Sequence, residues 1–251
     1  MDKILIIIPA LNEAENILCT VEDIRNNCTL ADVDVLVVDD CSVDGTADLL
    51  RKAGIPCLRF VHNLGIGGGV QAGYRYALEE DYDIAVQFDG DGQHDASYIE
   101  ALVQPVLDGS ADYTIGSRFV TAADEAHGEG FQSSAARRAG IRFLSFLIRL
   151  LSGVNVRDVT SGFRAVNKSL IRLFASQYAQ DYPEPEALVL AGRKGARIRE
   201  VPVQMKERQG GKSSITPLRS VYYMIKVSLA LMLTGRAGKK HAHTEPRENN
   251  A

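Results

Sequence analysis

Over its first 120 residues the chain alternates short apolar runs with helical patterns, and this alternation restricts the fold more than any other feature. Ile4 to Ile8, Val33 to Val38, Cys57 to Val61, Ile84 to Phe88 and Tyr113 to Ile115 read as strands, and the first, second and fourth are apolar enough to be buried on both faces. Between them, Glu15 to Arg25, Thr46 to Ala53, Val70 to Glu80 and Ser97 to Leu107 carry helical spacing. Strands separated by helices point to an α/β fold, a mostly parallel sheet flanked by helices. In such sheets ligands sit at the carboxyl ends of the strands. The polar clusters Pro9 to Glu13, Asp39 to Asp44, Asn63 to Gly69 and Asp89 to His94 all fall there.

The composition narrows the class. A chain of 251 residues, 45% hydrophobic and 24% charged, is an ordinary globular protein with room for one large domain and an extension. A net charge of −4 gives no general attraction to nucleic acid, so none is expected as a partner. Cys19, Cys28, Cys41 and Cys57 show no C-x-x-C spacing and indicate neither zinc nor a disulfide framework, which fits a reducing cytosol. The apolar run Ile4 to Ile8, closed by Pro9, is neither a signal peptide nor a membrane span.

Within the fourth cluster, Asp89-Gly90-Asp91-Gly92 sets two carboxylates one residue apart at a strand end, flanked by glycines that leave room for a ligand. Hard oxygens so placed suit Mg²⁺ or Mn²⁺ with a substrate diphosphate, although a polar turn with two solvated aspartates has the same sequence. Asp40 is placed to hydrogen-bond a base or ribose, while Asp44 reads as a helix N-cap. Asn63-Leu64-Gly65-Ile66-Gly67-Gly68-Gly69 lacks the spacing of a dinucleotide loop; Gly67 is expected to let the backbone pass close to a nucleotide. His62 and His94 lack metal-ligand spacing and read as hydrogen-bonding residues.

In order along the chain stand Pro9-Ala10-Leu11-Asn12-Glu13, Val38-Asp39-Asp40-x-Ser42-x-Asp44-Gly45-Thr46, Asn63-x-Gly65-x-Gly67, Asp89-Gly90-Asp91-Gly92-Gln93-His94, Gly116-Ser117-Arg118, Ser161-Gly162-Phe163-Arg164 and Arg208-x-x-Gly211-x-Ser213. Over about residues 3 to 215 this series resembles family 2 glycosyltransferases of the GT-A fold, a Rossmann-like sheet, and within them the dolichol-phosphate mannose synthase and polyprenyl-phosphate glucosyltransferase branch. The resemblance implies inverting transfer from a nucleotide sugar such as UDP-glucose, UDP-GlcNAc or GDP-mannose, with Mg²⁺ or Mn²⁺. The acceptor it implies is undecaprenyl or dolichyl phosphate, and the product would feed cell-envelope polysaccharide or glycan synthesis. Pro9, Asn12, Glu13, Asp40, Gly67, Asp89 and Gly90 match donor-binding positions, and Asp89, Asp91 and Gln93 match the metal and diphosphate positions. Arg118 matches the arginine that faces the acceptor phosphate, and Arg208 one that closes over the diphosphate; Asp91, Arg118, Arg208 and Glu186 form the expected catalytic set. Here Ser213 is followed by Ser214 where the family commonly has Ser-Lys, so Lys212 is the candidate for that charge. Arg137 and Arg138 are candidates for a second acceptor-phosphate contact.

A sugar hydroxyl acceptor needs a general base, whereas a phosphate monoester is already anionic. Glu186 matches the position of that base and equally suits orienting an arginine or capping a helix, so soluble transfer to a hydroxyl is the alternative reading. Readings of another class are a non-catalytic sugar-nucleotide-binding subunit and a nucleotidyltransferase; the intact Asp-x-Asp argues against the first and Pro9 to Glu13, where a basic Gly-rich loop is expected, against the second. Arg138, Arg142 and Arg149 share a face of an apolar segment that suits a core, an oligomer interface or a membrane surface. Residues 216–235 hold Arg219, Tyr222, Tyr223 and Lys226 on one helical face and fall short of the roughly 20 apolar residues of a span. The expected organisation is a transferase domain over 1–215, an amphipathic interface helix over 216–235 and a disordered tail over 236–251. This places the protein at the cytoplasmic face of a membrane, as a homo-oligomer or with a small membrane-protein partner as further options.

Overall fold

The structure, a computed structural model, describes residues 2–120, 135–205 and 226–233, with the backbone alone for 135–139. The chain runs β1 (Ile4–Ala10), α1 (Ile17–Asn27), β2 (Val33–Asp39), α2 (Thr46–Lys52), β3 (Cys57–Arg59), α3 (Gly65–Glu79), β4 (Ile84–Gln87), a short 3₁₀ turn Ala96–Tyr98, α4 (Ile99–Leu107), β5 (Tyr113–Ser117), α5 (Ala135–Ser152), β6 (Arg164–Asn167), α6 (Lys168–Ser176), α7 (Pro183–Arg193) and β7 (Ile198–Pro202). The strands form one seven-stranded sheet in the order β3-β2-β1-β4-β6-β5-β7. Every neighbouring pair is parallel except those of β6, which runs antiparallel to both β4 and β5. The expected mostly parallel α/β sheet is therefore present, and β6 and β7 add two strands that the apolar pattern did not disclose. β6 is only Arg-Ala-Val-Asn and β7 is Ile-Arg-Glu-Val-Pro, too short and too polar to stand out.

All of β1 is buried because each face of the sheet carries its own core. Ile4, Ile6 and Ile8 pack with Ile17, Leu50 and Leu102 on one side, while Leu5 and Ile7 pack with Tyr74, Leu144 and Phe174 on the other. Side-chain alternation along a strand makes this division, and it explains the unbroken apolar run.

Most expected boundaries shift by one or two residues, and one moves further. Helix α3 starts at Gly65, five residues before the apolar spacing begins at Val70, and takes the glycine run into its first turns. The reason is close packing: a Cβ on Gly67 would lie 2.1 Å from the carbonyl oxygen of Ala179.

Helix α5 buries Ile141, Leu144, Leu147 and Ile148 and exposes Arg142, Phe143, Phe146, Arg149 and Leu150. Residues 226–233 are helical and divide in the same way: Val227 and Leu231 join that core, while Leu229, Met232 and Leu233 face outward. The described part of the expected 216–235 interface helix thus shares the main core and offers only its outer face to anything else. Among the described residues, no helix is long and apolar enough to cross a membrane.

Candidate active site

The sheet order brings the polar clusters together. A cavity of about 360 Å³ opens at the carboxyl ends of β1, β2 and β4, within the size range of small-ligand sites. Of the residues matched to donor positions, Pro9, Glu13, Asp40, Asp89 and Gly90 line it, with Asp91 of the metal positions and Leu11, Asn63, Gly65, Ile66 and Glu184 beside them.

The loops behind this wall are laced side chain to backbone. The amide of Asn12 donates to Ser42 Oγ at 2.9 Å and its Oδ1 accepts from the Val43 amide at 2.9 Å. Glu13 N donates to Thr46 Oγ1 at 3.0 Å. Asp44 accepts from the amides of Thr46 and Ala14 at 3.0 and 2.9 Å, but the cap of α2 is Gly45, in the left-handed region at φ 96°, so Asp44 braces the loop one residue before the cap and is not the N-cap expected. Burial opposes the Asp44 charge, but these bonds and the Thr46 hydroxyl outweigh it and lower the pKa. Asn12, expected at the donor, is thus a clamp between the β1 and β2 loops and does not line the cavity. Asp40 does line it, yet both its oxygens are engaged by the first amides of α3, Leu64 N at 2.6 Å and Gly65 N at 2.8 Å. Gly67 serves helix packing against residues 179–180, not a passing nucleotide.

Asp89 stands at the centre of the buried polar layer. Its side chain is one-third exposed, toward the cavity, and Oδ2 lies 3.2 Å from His94 Nε2. The His94 ring is buried between Phe88 and Phe163, so it is a fixed donor to Asp89, in keeping with its reading as a hydrogen-bonding residue. Burial raises the Asp89 pKa, but the His94 and Gln87 hydrogen bonds and the nearby Arg164 guanidinium outweigh it, and the carboxyl stays below the usual carboxylate range. The antiparallel register Gln87↔Arg164 extends to bring Gly162 opposite Asp89. A Cβ on Gly162 would meet Asp89 Oδ2 at 2.3 Å. The Ser-Gly-Phe-Arg motif is therefore the rear support of the first aspartate.

Asp91 lines the same cavity, and its Oδ1 accepts from Gln93 N at 3.1 Å. Gln93 thus braces Asp91 through its backbone, while its side chain, expected on the metal, does not line the cavity. Two carboxylates facing one cavity are a fitting donor set for a hard divalent cation. Among the described residues no three His, Cys, Asp or Glu side chains group closely enough to hold an ion alone, so water and a diphosphate would complete the shell.

Arg118 departs from its expected role. Its Nε and Nη2 grip Asp158 at 2.7 and 2.8 Å, Nη2 also reaches Thr160 Oγ1 at 2.9 Å, and the side chain is only 9% exposed. A bidentate pair with a fully buried carboxylate answers its charge inside the protein, away from the cavity lining. Glu186 also lies off the cavity. It follows Glu184 by two residues in α7, about 200° around the helix. Glu184, which the sequence reading passed over, is the α7 carboxylate that lines it. Burial raises its pKa most, with Arg164 opposing and Asp89 adding to the rise. Arg164 is fully buried, donating to the carbonyls of Glu184 and Val159 at 2.9 and 3.2 Å and to the Tyr113 hydroxyl. Arg208 and Lys212, and the side chains of Arg137 and Arg138, lie outside the described residues.

The Glycosyl transferase family 2 model matches residues 5–174, more than half of the chain and all of this cavity except Glu184. The chain belongs to glycosyl transferase family 2. Among its relatives, an undecaprenyl-phosphate mannosyltransferase of Micrococcus luteus is 32% identical over 85% of this chain and 88% of its own length. A UDP-N-acetylglucosamine–dolichyl-phosphate N-acetylglucosaminyltransferase of Methanococcus voltae is 30% identical, over 81% of this chain and 86% of its own. The solved structure of Mycobacterium tuberculosis glucosyl-3-phosphoglycerate synthase with Mn²⁺, UDP and glucosyl-3-phosphoglycerate matches at a TM-score of 0.64 and 20% identity, over 93% of this chain and 80% of that one. That likeness is one of fold, and the sheet described above is the GT-A glycosyltransferase sheet.

Proposed function

We propose that this family 2 glycosyltransferase moves a sugar, with inversion, from a nucleotide sugar to a polyprenyl phosphate at a membrane surface, with Mg²⁺ or Mn²⁺ held at Asp89 and Asp91. The donor class is supported by the cavity at the strand ends, where Asp89 and Asp91 face a space of nucleotide scale. The divalent ion, when bound, neutralises the diphosphate as the anomeric bond breaks. His94, Gln87 and Gly162 fix the Asp89 carboxylate for that task, and the Gln93 amide fixes Asp91.

The observation that carries the acceptor choice is the outer face of α5. Phe143, Phe146 and Leu150 are 51%, 63% and 70% exposed, with the exposed Arg142 and Arg149 among them. Apolar side chains interleaved with arginines suit the boundary between acyl chains and anionic headgroups. Leu229, Met232 and Leu233 extend the exposed apolar surface on the last described helix. Relatives that act on undecaprenyl and dolichyl phosphates support the same class.

The test is direct. The protein is incubated with Mg²⁺ or Mn²⁺, with UDP-glucose, UDP-GlcNAc or GDP-mannose, and with undecaprenyl or dolichyl phosphate in vesicles, and the lipid product is identified by mass. A glycosyl polyprenyl phosphate is expected from at least one donor. Products on soluble sugars, with none on either lipid, would overturn the reading.

A further inference from the structure

Of the carboxylates that line the cavity, Asp89 and Asp91 serve the proposed chemistry, Asp40 and Glu13 accept bonds from the loops behind it, and Glu184 is left unused. Glu184 projects from the first turn of α7, with Pro183 before it and its own carbonyl held by Arg164 Nη1 at 2.9 Å. Its carboxylate lies beside Gln87, whose amide nitrogen reaches Asp89 Oδ1 at 3.5 Å and whose amide oxygen accepts from the Tyr178 hydroxyl at 3.4 Å. Gln87 is itself fully buried, so Glu184 is presented to the cavity from a fixed base and not from a mobile loop.

Charge decides what such a group can receive. A diphosphate and a phosphate acceptor are both anions, and a carboxylate facing either would repel it. A place as third metal ligand does not fit either, because Glu184 forms no metal-sized group with Asp89 and Asp91 among the described residues. Two neutral parts of a nucleotide sugar remain, the nucleoside and the sugar, and Glu184, set beside Gln87 and Asp89 at the diphosphate end of the cavity, is placed for the sugar, which is rich in hydroxyl donors. Carboxylates accept hydroxyl hydrogen bonds with both oxygens, and one already anchored loses little freedom in doing so. We infer that Glu184 is the donor-specificity residue, accepting hydrogen bonds from the hydroxyls of the transferred sugar. This rests on the reading of the cavity as a nucleotide-sugar site. The consequence is selectivity: a site built around a hydroxyl acceptor rejects a donor that lacks the hydroxyl, because its polar group is left unpaired.

Calorimetric titration needs no acceptor and so separates this inference from the choice of lipid. Wild type and Glu184→Gln are titrated with Mg²⁺ and UDP or GDP, then with the matching UDP-glucose or GDP-mannose and with deoxy-sugar analogues of each. Glu184→Gln is expected to bind the nucleoside diphosphate within about twofold of wild type and the nucleotide sugar at least about tenfold more weakly, the scale of one charge-assisted hydrogen bond. For one deoxy analogue the gap between wild type and variant should close, which a merely structural role of Glu184 would not produce. Equal weakening of diphosphate and nucleotide sugar overturns the inference, as does unchanged sugar-nucleotide affinity. In the transfer assay, a fall in kcat at unchanged nucleotide-sugar affinity overturns it in favour of a general base. A wild-type protein that binds neither nucleotide sugar overturns both this inference and the donor reading beneath it.

Discussion

The Cα of Gly162 lies against the carboxylate of Asp89, so close that a Cβ there would stand 2.3 Å from Oδ2 and 2.6 Å from Oδ1. Antiparallel pairing of β4 with β6 creates this contact, and the glycine is what lets the strand ends approach. Gly162→Ala must therefore displace either β6 or Asp89. The expected outcome is loss of transfer by about 100-fold or more, with a stability loss of about 1 to 3 kcal/mol from overpacking. Denaturant unfolding beside the transfer assay checks both; full activity in the alanine variant would mean that Asp89 need not stay where it is.

Asp91→Ala and excess EDTA should each abolish turnover, because a carboxylate and the ion it holds serve the same leaving diphosphate. The variant keeps its fold, since Asp91 is only partly buried and accepts from the Gln93 amide of its own turn. Calorimetry should find Mn²⁺-dependent UDP or GDP binding in wild type and a weaker or absent metal enhancement in the variant. Turnover by Asp91→Ala in EDTA equal to that of wild type would remove the metal from the mechanism.

These two aspartates stood out in the sequence as a pair one residue apart after an apolar run, and since a solvated polar turn has the same pattern, it was the ordered motifs around them that pointed to a ligand. The parallel half of the sheet was legible from its apolar runs: β1 is apolar throughout, and β2 and β4 carry only Asp34, Asp39 and Gln87 among apolar residues. What the sequence hid depended on pairing distant in the chain. β6 is four residues long and runs antiparallel, so no periodicity marks it, yet it delivers Gly162 and Arg164 to the site. Glu184 and Glu186 stand two apart in one acidic stretch, and only the rotation of α7 shows which faces the cavity. Gln87 had a signal, the lone polar residue in Ile84 to Phe88, that in hindsight marks a buried polar contact. Arg118 misled because an arginine after a strand end looks free until its partner 40 residues on, Asp158, is placed beside it.

The Arg118–Asp158 pair should act on stability. Asp158→Asn leaves a nearly buried guanidinium without its counter-charge, and breaking a buried pair typically costs about 3 to 5 kcal/mol. Burial pushes the Asp158 pKa up, but Arg118 outweighs it and holds the folded value below the ordinary one. A carboxylate so lowered contributes stability that is fully present above its unfolded pKa, about 3.9, and lost as pH falls through the folded value. Denaturant unfolding should show a constant gap between wild type and Asp158→Asn from pH 7 to about 5, narrowing only below about pH 4. A gap that closes near pH 6, or persists unchanged to pH 2, would contradict the pairing.

The outer face of α5 gives the last prediction. Phe146 and Leu150 are 63% and 70% exposed while Leu147 and Ile148 beside them are buried, so Phe146→Ser with Leu150→Ser removes outward apolar surface and leaves the core intact. Each such side chain contributes about 1.5 to 3 kcal/mol when fully buried, so their joint loss should weaken binding to vesicles by about 100-fold or more. Arg142→Gln with Arg149→Gln should weaken binding to anionic vesicles and change binding to neutral ones little, since each basic residue near an anionic surface is worth about 1 kcal/mol. Neither pair lines the donor cavity, so nucleotide affinity should stay at the wild-type value. Substitution is the cleaner test than truncation before the last helix, because Val227 and Leu231 belong to the core and their removal would unfold what is being measured. Vesicle flotation of the serine variant equal to that of wild type would show that α5 does not meet the membrane.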